Sequence, residues 1–512
     1  MRRLLKAMFS RVTITVLLLA IEIALIVMLT MQVGKYAAWI SVFLRIACIF
    51  VVLYINMTTE HLSFDLIWML AVLIFPVAGT ALYLMLGTNL FTTSTYRNLV
   101  ANERMAARYY DKGEEVREEM YAKDPARTGQ FRYICEGAGY PFYKNEGFDY
   151  YRFGEDGFPA MLEELRKAEK FIFIEYFIIE PGEMWDSIME ILEEKAAAGV
   201  DVRIIYDDMG SFSTLPLSYG KKLAKKNIRC EAFNRISLLL AKIMNHRDHR
   251  KIMVIDGKVA FSGGINLADE YINKVEKYGV WKDNTFRVKG KAVWSYTVLF
   301  LSHWYAITMD DEDYTKFRVE DADENDGSVE TDGYIAAYGE TPLDNEITSQ
   351  NIYMNILNQA NDYCYIFTPY LIIDSELQNA LILAAKRGVD VRLITPGIPD
   401  KKRIWRITRS FYPSLIRGGV KIYEYQPGFV HAKVFVSDDK IATVGTINLD
   451  YRSLYLHFEN GTYLYDSSKV LEIRDDFLDT NEECKLMTVK DIKLTPFGRF
   501  KISVLRLFAP LL

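Results

Sequence analysis

His249-Arg-Lys-Ile-Met-Val-Ile-Asp256 and His431-Ala-Lys-Val-Phe-Val-Ser-Asp438 are two copies of one pattern, HxKxxxxD. Each copy is followed at the same spacing by a Gly-x-x-Asn stretch, Gly263-Gly-Ile-Asn266 and Gly445-Thr-Ile-Asn448. Since the chain holds only 6 histidines, two chance matches are expected at a level of roughly a few in ten thousand. The pattern therefore indicates an internal duplication.

The sequence that precedes each copy is also repeated. Gly199-Val-Asp-Val-Arg203 returns as Gly388-Val-Asp-Val-Arg392, and each follows a short apolar strand and a helical pattern. Strand, helix and buried strand form a parallel βαβ unit. Two copies predict an α/β fold in which two tandem halves, each with helices on a mainly parallel sheet, pack around one shared active site.

Apolar and polar side chains alternate within each copy of the pattern. Around the second copy, Val430 and Val434 alternate with His431 and Lys433. A period of two indicates a strand, so the imidazole and the lysine project from one face while the valines are buried on the other. The first copy alternates in the same way, and Asp256-Gly257 is typical of a hairpin turn. Each half therefore presents one imidazole and one cation side by side.

Two imidazoles and two lysines in one cleft suit a phosphodiester substrate. Because the ordinary pKa of imidazole is near ~6.5, it can act as nucleophile, acid or base at neutral pH. We predict that His249 attacks phosphorus and that His431 acts as acid and base. The lysines supply positive charge for the non-bridging oxygens, so we expect no metal and no cofactor. The predicted set also contains the catalytic residues Lys251, Asp256, Lys433 and Asp438, and the substrate-binding residues Gly263, Asn266, Gly445 and Asn448.

Length, charge and cysteine content exclude several classes of protein. A chain of 512 residues exceeds what one hydrophobic core usually covers, so two or more folding units are expected. A net charge of −6 disfavours general binding to nucleic acid. The 5 cysteines are scattered without CxxC spacing, which predicts neither a disulfide framework nor a zinc site. We expect His61, His246 and His303 to be structural.

Three apolar runs open the chain, at about 13–32, 37–56 and 62–87. Each supplies the ~20 residues of a membrane-spanning helix, so residues 1–90 are predicted to form a multi-pass membrane region. Glu22 and Arg45 interrupt the first two runs. They either form a buried ion pair or reach separate interfaces. The basic residues leave open which side of the membrane the rest of the chain faces.

The remaining sequence divides into four segments. A polar linker is predicted at 91–130, the two halves at 131–325 and 326–486, and an amphipathic helix at 494–512. This helix either lies on an anionic membrane surface or packs onto the globular part. The acidic run 310–326 is predicted to be a solvated linker or a surface loop, since it lacks the ordered spacing of a calcium loop.

At the duplicated motifs the chain resembles the phospholipase D superfamily, and more narrowly the bacterial cardiolipin synthases. The resemblance extends to Pro76-x-x-Gly79, Tyr206-Asp-Asp-Met-Gly210 and Thr368-Pro-Tyr370. It implies an enzyme of the bacterial cell membrane that condenses two phosphatidylglycerol molecules into cardiolipin and glycerol through a phosphohistidine. Anionic membrane lipids are the implied partners. The resemblance also implies that Asp283 and Glu459 orient the imidazoles.

The chain departs from that family at two places. Trp281-Lys-Asp283 stands where the family usually has Trp-Arg-Asp, and His457 stands where it usually has Asn. His457 is either an additional polar contact in the cleft or a tolerated neighbour.

A hydrolytic phospholipase D, which releases phosphatidic acid, is the main alternative function, followed by a nuclease and a non-enzymatic membrane scaffold. The sequence does not predict the oligomeric state.

Overall fold

The computed structural model describes residues 17–24, 27, 31, 37–58, 62–88, 94–235, 245–310, 312–319, 330–344, 346–492 and 495–509. The chain divides into two compact units. The first comprises Met1–Arg97, Asn234–His246 and Val504–Leu512, and the second comprises Asn98–Phe233 and Arg247–Ser503.

Helices form the first unit. They are Ala37–Met57, Leu62–Ile74 and Pro76–Leu82, followed by a π-helical turn at Tyr83–Gly87. The predicted run 37–56 is thus one helix, whereas the run 62–87 is interrupted at Pro76. Proline has no N–H group with which to continue the preceding helix, and it fits the first turn of the next one. Within the described residues, no helix combines the length and apolarity that crossing a bilayer requires. Half of the run 13–32 lies outside those residues, and residues 17–24 within it are helical.

Glu22 caps a helix of this unit. Its Oε2 atom accepts 2.9 Å hydrogen bonds from the backbone N–H groups of Val77 and Ala78, in the first turn of helix Pro76–Leu82. A carboxylate is favoured there because the first N–H groups of a helix lack partners within it. Arg45 is exposed, and the described part of this unit contains no ion pair between it and Glu22. The ion-pair alternative is therefore wrong.

The second unit contains the strands. In chain order the described strands are β1 (Tyr143–Lys144), β2 (Phe148–Tyr151), β3 (Phe171–Tyr176), β4 (Asp201–Asp207), β5 (Arg229–Phe233), β6 (Arg247–Asp248), β7 (Lys251–Ile255), β8 (Val259–Gly263), β9 (Val280–Lys282), β10 (Thr285–Lys289), β11 (Tyr334–Glu340), β12 (Tyr363–Phe367), β13 (Leu371–Ile372), β14 (Asp390–Pro396), β15 (Lys421–Tyr425), β16 (Gly428–Val430), β17 (Val434–Ser437), β18 (Ile441–Gly445), β19 (Leu449–Asp450), β20 (His457–Tyr465) and β21 (Cys484–Leu486).

The helices that accompany these strands are mostly short. They are Ser94–Ala106, Glu114–Lys123, Thr128–Arg132, Gly154–Lys167, Glu183–Ala197, Tyr219–Ala224, Val293–Thr308, Thr348–Gln359, Ser375–Lys386, Lys402–Arg417, Tyr451–Tyr455, Lys469–Glu482 and Pro496–Leu507. The first three occupy most of the predicted linker 91–130, so that segment is helical. The predicted tail helix is present as the last of them.

The first sheet has the strand order β2-β10-β8-β7-β3-β4-β5. The predicted βαβ unit is present, because β3 pairs in parallel with β4 and β4 with β5. All other neighbours in this sheet pair antiparallel. The first HxKxxxxD copy ends in the hairpin of β7 and β8, and a short hairpin connection joins only antiparallel strands.

The second sheet follows the order β1-β11-β20-β18-β17-β12-β14-β15-β21, with β6 beside β20. Here β12, β14 and β15 form the parallel group, as β3, β4 and β5 do in the first sheet. The strands on either side of this group are antiparallel. The prediction of an α/β fold with two related halves is confirmed. The expectation of mainly parallel sheets is corrected, since both sheets are mixed.

Helices bury the sheets and join the two halves. Helix Glu183–Ala197 packs Trp185, Ile188 and Leu192 into the core of the first half. Helix Val293–Thr308 is buried along nearly its whole length. It contacts β3 and β7 of the first sheet and β11 of the second. A helix that is apolar on all sides needs neighbours on all sides, so this helix is shared by both halves.

Part of the acidic run is anchored rather than solvated. Arg203 Nη2 donates to Glu312 Oε2 at 3.0 Å, and the same carboxylate pairs with Lys316 at 2.6 Å. Residues 311 and 320–329 lie outside the described residues. For the start of this run the surface-loop alternative therefore fits better than a free linker.

Candidate active site

Each motif histidine is held by a strand from the opposite half. In the first half, β6 runs parallel to β20, and the backbone N–H of His249 donates to Phe458 O at 2.8 Å. In the second half, β16 runs parallel to β9, and the backbone N–H of His431 donates to Lys282 O at 2.8 Å. The two contacts are equivalent. In each of them, the segment that carries a motif histidine pairs with a strand of the other half, so each histidine depends on both halves for its position.

The exchanged strands bring a carboxylate to each imidazole. His249 Nδ1 lies 2.8 Å from Glu459 Oε2, and His431 Nδ1 lies 2.6 Å from Asp283 Oδ2. Both carboxylates are fully buried, and both histidines are 7% exposed. A carboxylate at Nδ1 fixes the tautomer and the ring orientation, which leaves Nε2 to meet a substrate. The two acids that the family resemblance implied are thus in contact with the two motif histidines.

The two motif lysines are buried beside the histidines. Lys251 Nζ donates to the backbone carbonyl of His249 at 2.8 Å, and Lys433 Nζ makes the equivalent bond to His431. An ammonium group has three hydrogens, so each lysine keeps donors for a further acceptor. The lysines therefore bring two positive charges to the same place as the two imidazoles.

Burial lowers the pKa values of both lysines. Desolvation is the main cause, opposed by the charges of Asp283 and Glu459, and the pKa falls to about 8 for Lys251 and about 7 for Lys433. Without an anion in the site, the second ammonium is thus only partly charged near neutral pH. A bound phosphodiester supplies negative charge and favours the protonated form of both side chains.

The pKa values of the histidines are lowered for a similar reason. Burial comes first, followed by the charges of the neighbouring lysines, and the pKa of His249 is held well below its ordinary value. For His431, burial and Lys433 lower the pKa to about 4, while the charge and hydrogen bond of Asp283 act in the opposite direction. Both imidazoles are neutral at pH 7, which is the form a nucleophile requires.

The aspartates of the two motifs accept hydrogen bonds from the backbone of neighbouring segments. Asp256 accepts hydrogen bonds of 2.7–2.8 Å from three consecutive backbone N–H groups at 169–171, and Asp438 accepts equivalent bonds of 2.9–3.0 Å at 361–363. Both residues have φ of 53°, a left-handed turn conformation. Their carboxylates are occupied by the backbone that enters β3 and β12. These contacts favour a structural role for both aspartates over the predicted catalytic one.

The motif glycines allow strands to approach each other closely. A Cβ atom on Gly263 would lie 2.6 Å from Asn284 O, and one on Gly445 would lie 2.4 Å from Asn460 O. Gly445 pairs with β20, the strand that carries Glu459, and Gly263 pairs with the first residue of β10, which begins shortly after Asp283. These contacts support a packing role in place of the predicted substrate binding.

The two motif asparagines differ in their contacts. Asn266 Oδ1 accepts from the backbone N–H of Ile178 at 3.1 Å, and its Nδ2 donates to Tyr271 Oη at 2.8 Å. Asn448 is 5% exposed, and its side-chain oxygen atom has no partner within the described residues. Asn448 is therefore the asparagine whose side chain remains available to a substrate.

A polar network that the sequence analysis missed joins the halves beneath Lys251. Asn460 accepts from the backbone N–H of Lys251 at 3.1 Å and donates to Ser262 Oγ at 2.8 Å, while Ser262 Oγ donates to Lys251 O at 2.6 Å. Thr446 Oγ1 donates to Glu459 Oε2 at 2.5 Å. Asn460 directly follows Glu459, but a single sequence gives no signal that it reaches across to the other half.

Histidines outside the motifs occupy two different settings. His303 is fully buried and its Nδ1 lies 2.7 Å from Glu175 Oε1, which agrees with a structural role. His457 lies beside His249, with ring centroids 5.8 Å apart, and its Nδ1 is 3.8 Å from Glu459 Oε1. Neither ring nitrogen of His457 has a hydrogen-bond partner within the described residues. His61 lies outside those residues.

Two groups of side chains have the composition of metal ligands, His249 with His457 and Glu459, and Glu175 with Asp248 and His303. Lys251 lies close enough to the first group to depress the pKa of His249, and the Arg250 guanidinium acts electrostatically on Glu175 in the second. Positive charge beside a site opposes a bound cation. The electrostatics of both groups therefore favour anions or internal ion pairs over a metal ion.

Comparison with known proteins identifies the family. The family described as "Cardiolipin synthase, PLD-like domain" matches residues 161–304 and 353–480. A protein of Halalkalibacterium halodurans named cardiolipin synthase is 30% identical, over 99% of this chain and 100% of its own. One of Bacillus anthracis named cardiolipin synthase 2 is 34% identical, over 90% and 88%. An uncharacterized protein of Streptococcus mutans is 44% identical, over 90% and 99%.

A solved structure has the same fold. The crystal structure of phosphatidylserine synthase from Haemophilus influenzae aligns with a TM-score of 0.54 at 15% identity, and covers 73% of this chain and 95% of its own. The family matches fall on the two halves that exchange strands around the paired histidines. The chain therefore belongs to the cardiolipin synthase, PLD-like domain family.

Proposed function

We propose that this protein transfers a phosphatidyl group from one phosphatidylglycerol molecule to another, giving cardiolipin and glycerol. The observation that carries the proposal is the crosswise pairing, in which two histidines each contact a carboxylate of the opposite half beside two buried lysines. Such a set provides a nucleophile, an acid and charge for the phosphate without a metal. Relatives named cardiolipin synthase, aligned along nearly the whole chain, support the choice of substrate.

The first step forms a phosphohistidine. Nε2 of His249 attacks phosphorus, and the bond from phosphorus to the glycerol oxygen breaks. His431 gives its Nε2 proton to that oxygen, so glycerol leaves neutral. His431 acquires this proton from solvent when the negative phosphodiester binds and raises its proton affinity, and Asp283 stabilises the imidazolium that forms. Both histidines contact a carboxylate in the same way, so the assignment of the acid role to His431 and the nucleophilic role to His249 is a proposal that trapping of the intermediate tests.

The second step returns the enzyme to its initial state. The free hydroxyl of a second phosphatidylglycerol gives its proton to His431, and its oxygen attacks the phosphorus on His249. The phosphorus–nitrogen bond breaks, cardiolipin forms, and His249 is free again. Lys251 and Lys433 donate hydrogen bonds to the non-bridging oxygens in both steps, where negative charge accumulates. The Nδ2 group of Asn448 is a further proposed donor, since its Oδ1 atom can only accept. Glu459 stabilises the positive charge that the His249 ring carries while its Nε2 atom is bonded to phosphorus.

We also propose that the protein is a multi-pass protein of the bacterial cell membrane. Helix Ala37–Met57 of the first unit exposes Trp39, Phe43 and Phe50 by 75%, 69% and 66%. Large exposed apolar surfaces of this kind indicate contact with lipid or another apolar partner. The tail helix exposes Phe497 and Phe500 by 76% and 67%, which favours the membrane-surface alternative for this segment.

The product profile of the purified full-length protein tests the function. Vesicles of phosphatidylglycerol should yield cardiolipin and glycerol in equal amounts, without an activated nucleotide donor and with EDTA present. His249→Ala and His431→Ala should each abolish both products, while Asp362→Ala, at an exposed position in the second half, should retain them. If phosphatidic acid is the main product, water is the acceptor and the hydrolytic alternative holds. Unchanged cardiolipin formation in both histidine variants would contradict the proposed site.

A further inference from the structure

Large apolar side chains are exposed on three loops of the catalytic unit. We call Met209, Phe212, Leu217, Val275 and Ile398 the apolar rim. Their exposed fractions are 43%, 63%, 87%, 50% and 40%. Single exposed apolar residues need no explanation, but several beside one functional site indicate a partner that is itself apolar.

Two parts of the apolar rim occupy equivalent places in the two halves. Met209, Phe212 and Leu217 follow β4, and Ile398 follows β14. These strands are the two copies of the repeated Gly-Val-Asp-Val-Arg sequence, and both are parallel strands. Ligands of α/β sheets bind at the carboxyl ends of the parallel strands. The rim therefore lies at the end of each sheet where a substrate enters.

Contacts in the first half link the rim to His249. Ser211 Oγ donates to Phe177 O at 3.3 Å, and Gly210 packs so closely on the Phe177 ring that a Cβ atom there would lie 2.8 Å from it. The Phe177 ring stands 5.0 Å from the His249 ring. The turn that carries Met209 and Phe212 therefore contacts Phe177, and Phe177 in turn contacts the proposed nucleophile.

Contacts in the second half link the rim to His431. Phe429 lies 5.9 Å from the His431 ring and 6.5 Å from the Tyr370 ring. The backbone N–H of Ile398 donates to Gly428 O at 3.1 Å. Tyr278, three residues after Val275, lies 6.3 Å from Phe429. The rim therefore borders both histidines.

A cluster of exposed cations adjoins the second part of the rim. We call Lys401, Lys402, Arg403 and Arg406 the basic cluster, and all four are exposed. They lie at the start of helix Lys402–Arg417, whose opposite face buries Ile407, Phe411 and Leu415. Tyr370 Oη donates to Asp400 Oδ2 at 2.6 Å, and Lys401 Nζ stands 5.5 Å above the Tyr370 ring. Lys402, Arg403 and Arg406 have no carboxylate partner within the described residues.

We propose that the apolar rim and the basic cluster dock the catalytic unit onto an anionic lipid bilayer. The proposal rests on the proposed function, since it names the surface from which the lipid substrate reaches the site. Apolar side chains insert at the boundary of head groups and acyl chains, and cations bind the anionic head groups. The headgroup phosphate then reaches the histidines while the acyl chains stay in lipid. Unpaired cations next to scattered apolar side chains fit an anionic bilayer better than a protein groove.

Hydrogen–deuterium exchange of the full-length protein tests this docking without any need for catalysis. We expect peptides covering 209–217 and 398–406 to exchange more slowly in nanodiscs of phosphatidylglycerol than in nanodiscs of phosphatidylcholine. The turns at Gly199 and Gly388 lie at the amino ends of the same two strands and serve as internal controls. Their exchange should be equal in both lipids.

Charge reversal provides the matched comparison. The double variant Arg403→Glu with Arg406→Glu should lose the protection of both peptides, because each cation removed near an anionic surface weakens binding about fivefold. Lys170→Glu with Lys386→Glu makes the same change in net charge at exposed residues near the amino ends of strands, and should behave as the unmodified protein does. Equal exchange in the two lipids, or full protection in the Arg403 and Arg406 variant, would overturn the proposal.

Two further outcomes separate the alternatives. Protection that appears in detergent without lipid and increases with protein concentration would identify a second copy of the chain as the occupant, and would overturn the proposal. Protection specific to phosphatidylglycerol in a protein that makes no cardiolipin would support the docking surface while rejecting the proposed function. The two claims therefore fail independently.

Discussion

At the scale of single residues, the account depends on two contacts between the halves, in which a carboxylate of one half binds the motif histidine of the other. Sequence patterns identified the histidines and lysines, because their duplication is improbable by chance. Asp283 and Glu459 were implied only by the family resemblance, since neither lies within an HxKxxxxD copy. Their role follows from strand exchange, which a single sequence does not encode in any local spacing. The same exchange explains why Asn460 was missed.

Asp283→Asn should lower kcat/KM by about two to four orders of magnitude. The amide keeps the size of the side chain but cannot stabilise an imidazolium at His431, and it favours the wrong tautomer. The measurement is cardiolipin formation from phosphatidylglycerol, with the melting temperature as a check on folding. Asp479→Asn, at a largely exposed carboxylate, is the control and should be neutral. A loss smaller than about threefold in a folded Asp283→Asn protein would show that the contact is not used.

The lysines predict the pH dependence. Because the pKa of Lys433 is about 7 and that of Lys251 about 8, the free site loses positive charge as the pH rises through 7 to 8. Only the charged forms attract the phosphodiester, so kcat/KM should fall by up to about tenfold per pH unit above this range. Lys433→Arg keeps its charge at all these pH values. Its decline should therefore begin nearer pH 8, and a decline at the same pH as in the unmodified protein would contradict the assignment.

At the scale of secondary structure, the sequence predicted the βαβ units and not the strands around them. Hydrophobic strands separated by a helix imply parallel pairing, and both β3-β4 and β12-β14 pair in parallel. The strands of the motifs were predicted to include His249, His431 and Lys433, but they begin at Lys251 and Val434. The partners of these strands were not recognised, so the sheets were expected to be more parallel than they are. The interruption at Pro76 was also missed, although a proline inside an apolar run is itself a signal that a helix ends or kinks there.

Substitution of a motif aspartate should lower the stability of the protein more than it lowers the catalytic rate of the folded protein. Asp438→Ala removes the acceptor of three backbone N–H groups at 361–363 and leaves a non-glycine residue at positive φ. We expect a loss of about 1–3 kcal/mol in the free energy of unfolding, from the lost hydrogen bonds to a charged acceptor, because the N–H groups at 361–363 are exposed or partly buried and can bind water instead. The measurement is urea unfolding, and the exposed Asp362→Ala is the control.

The comparison with His431 makes this prediction specific. His431→Ala should abolish turnover with little loss of stability, whereas folded Asp438→Ala protein should retain a measurable rate. Equal stability of Asp438→Ala and the unmodified protein, together with complete loss of activity, would restore the catalytic assignment.

At the scale of the whole molecule, the two halves are expected to unfold together. The exchanged strands, the shared helix Val293–Thr308 and the network of Asn460 with Ser262 all cross between them. Asn460→Ala and Ser262→Ala should therefore be non-additive, with a coupling energy of about 1 kcal/mol in a double-mutant cycle of urea unfolding. Additive effects, or two separate unfolding transitions within the catalytic unit, would show that the halves are independent.

The central claim is that two histidines from different halves act on one phosphorus atom, and trapping the intermediate tests it most directly. The full-length protein is mixed with phosphatidylglycerol, stopped within the first turnover under alkaline conditions that preserve phosphohistidine, and digested for mass spectrometry. The account predicts a phosphatidyl adduct on the peptide that contains His249, and none in His249→Ala. Cardiolipin formed without an adduct on either motif histidine, or an adduct on a residue outside the paired motifs, would contradict it.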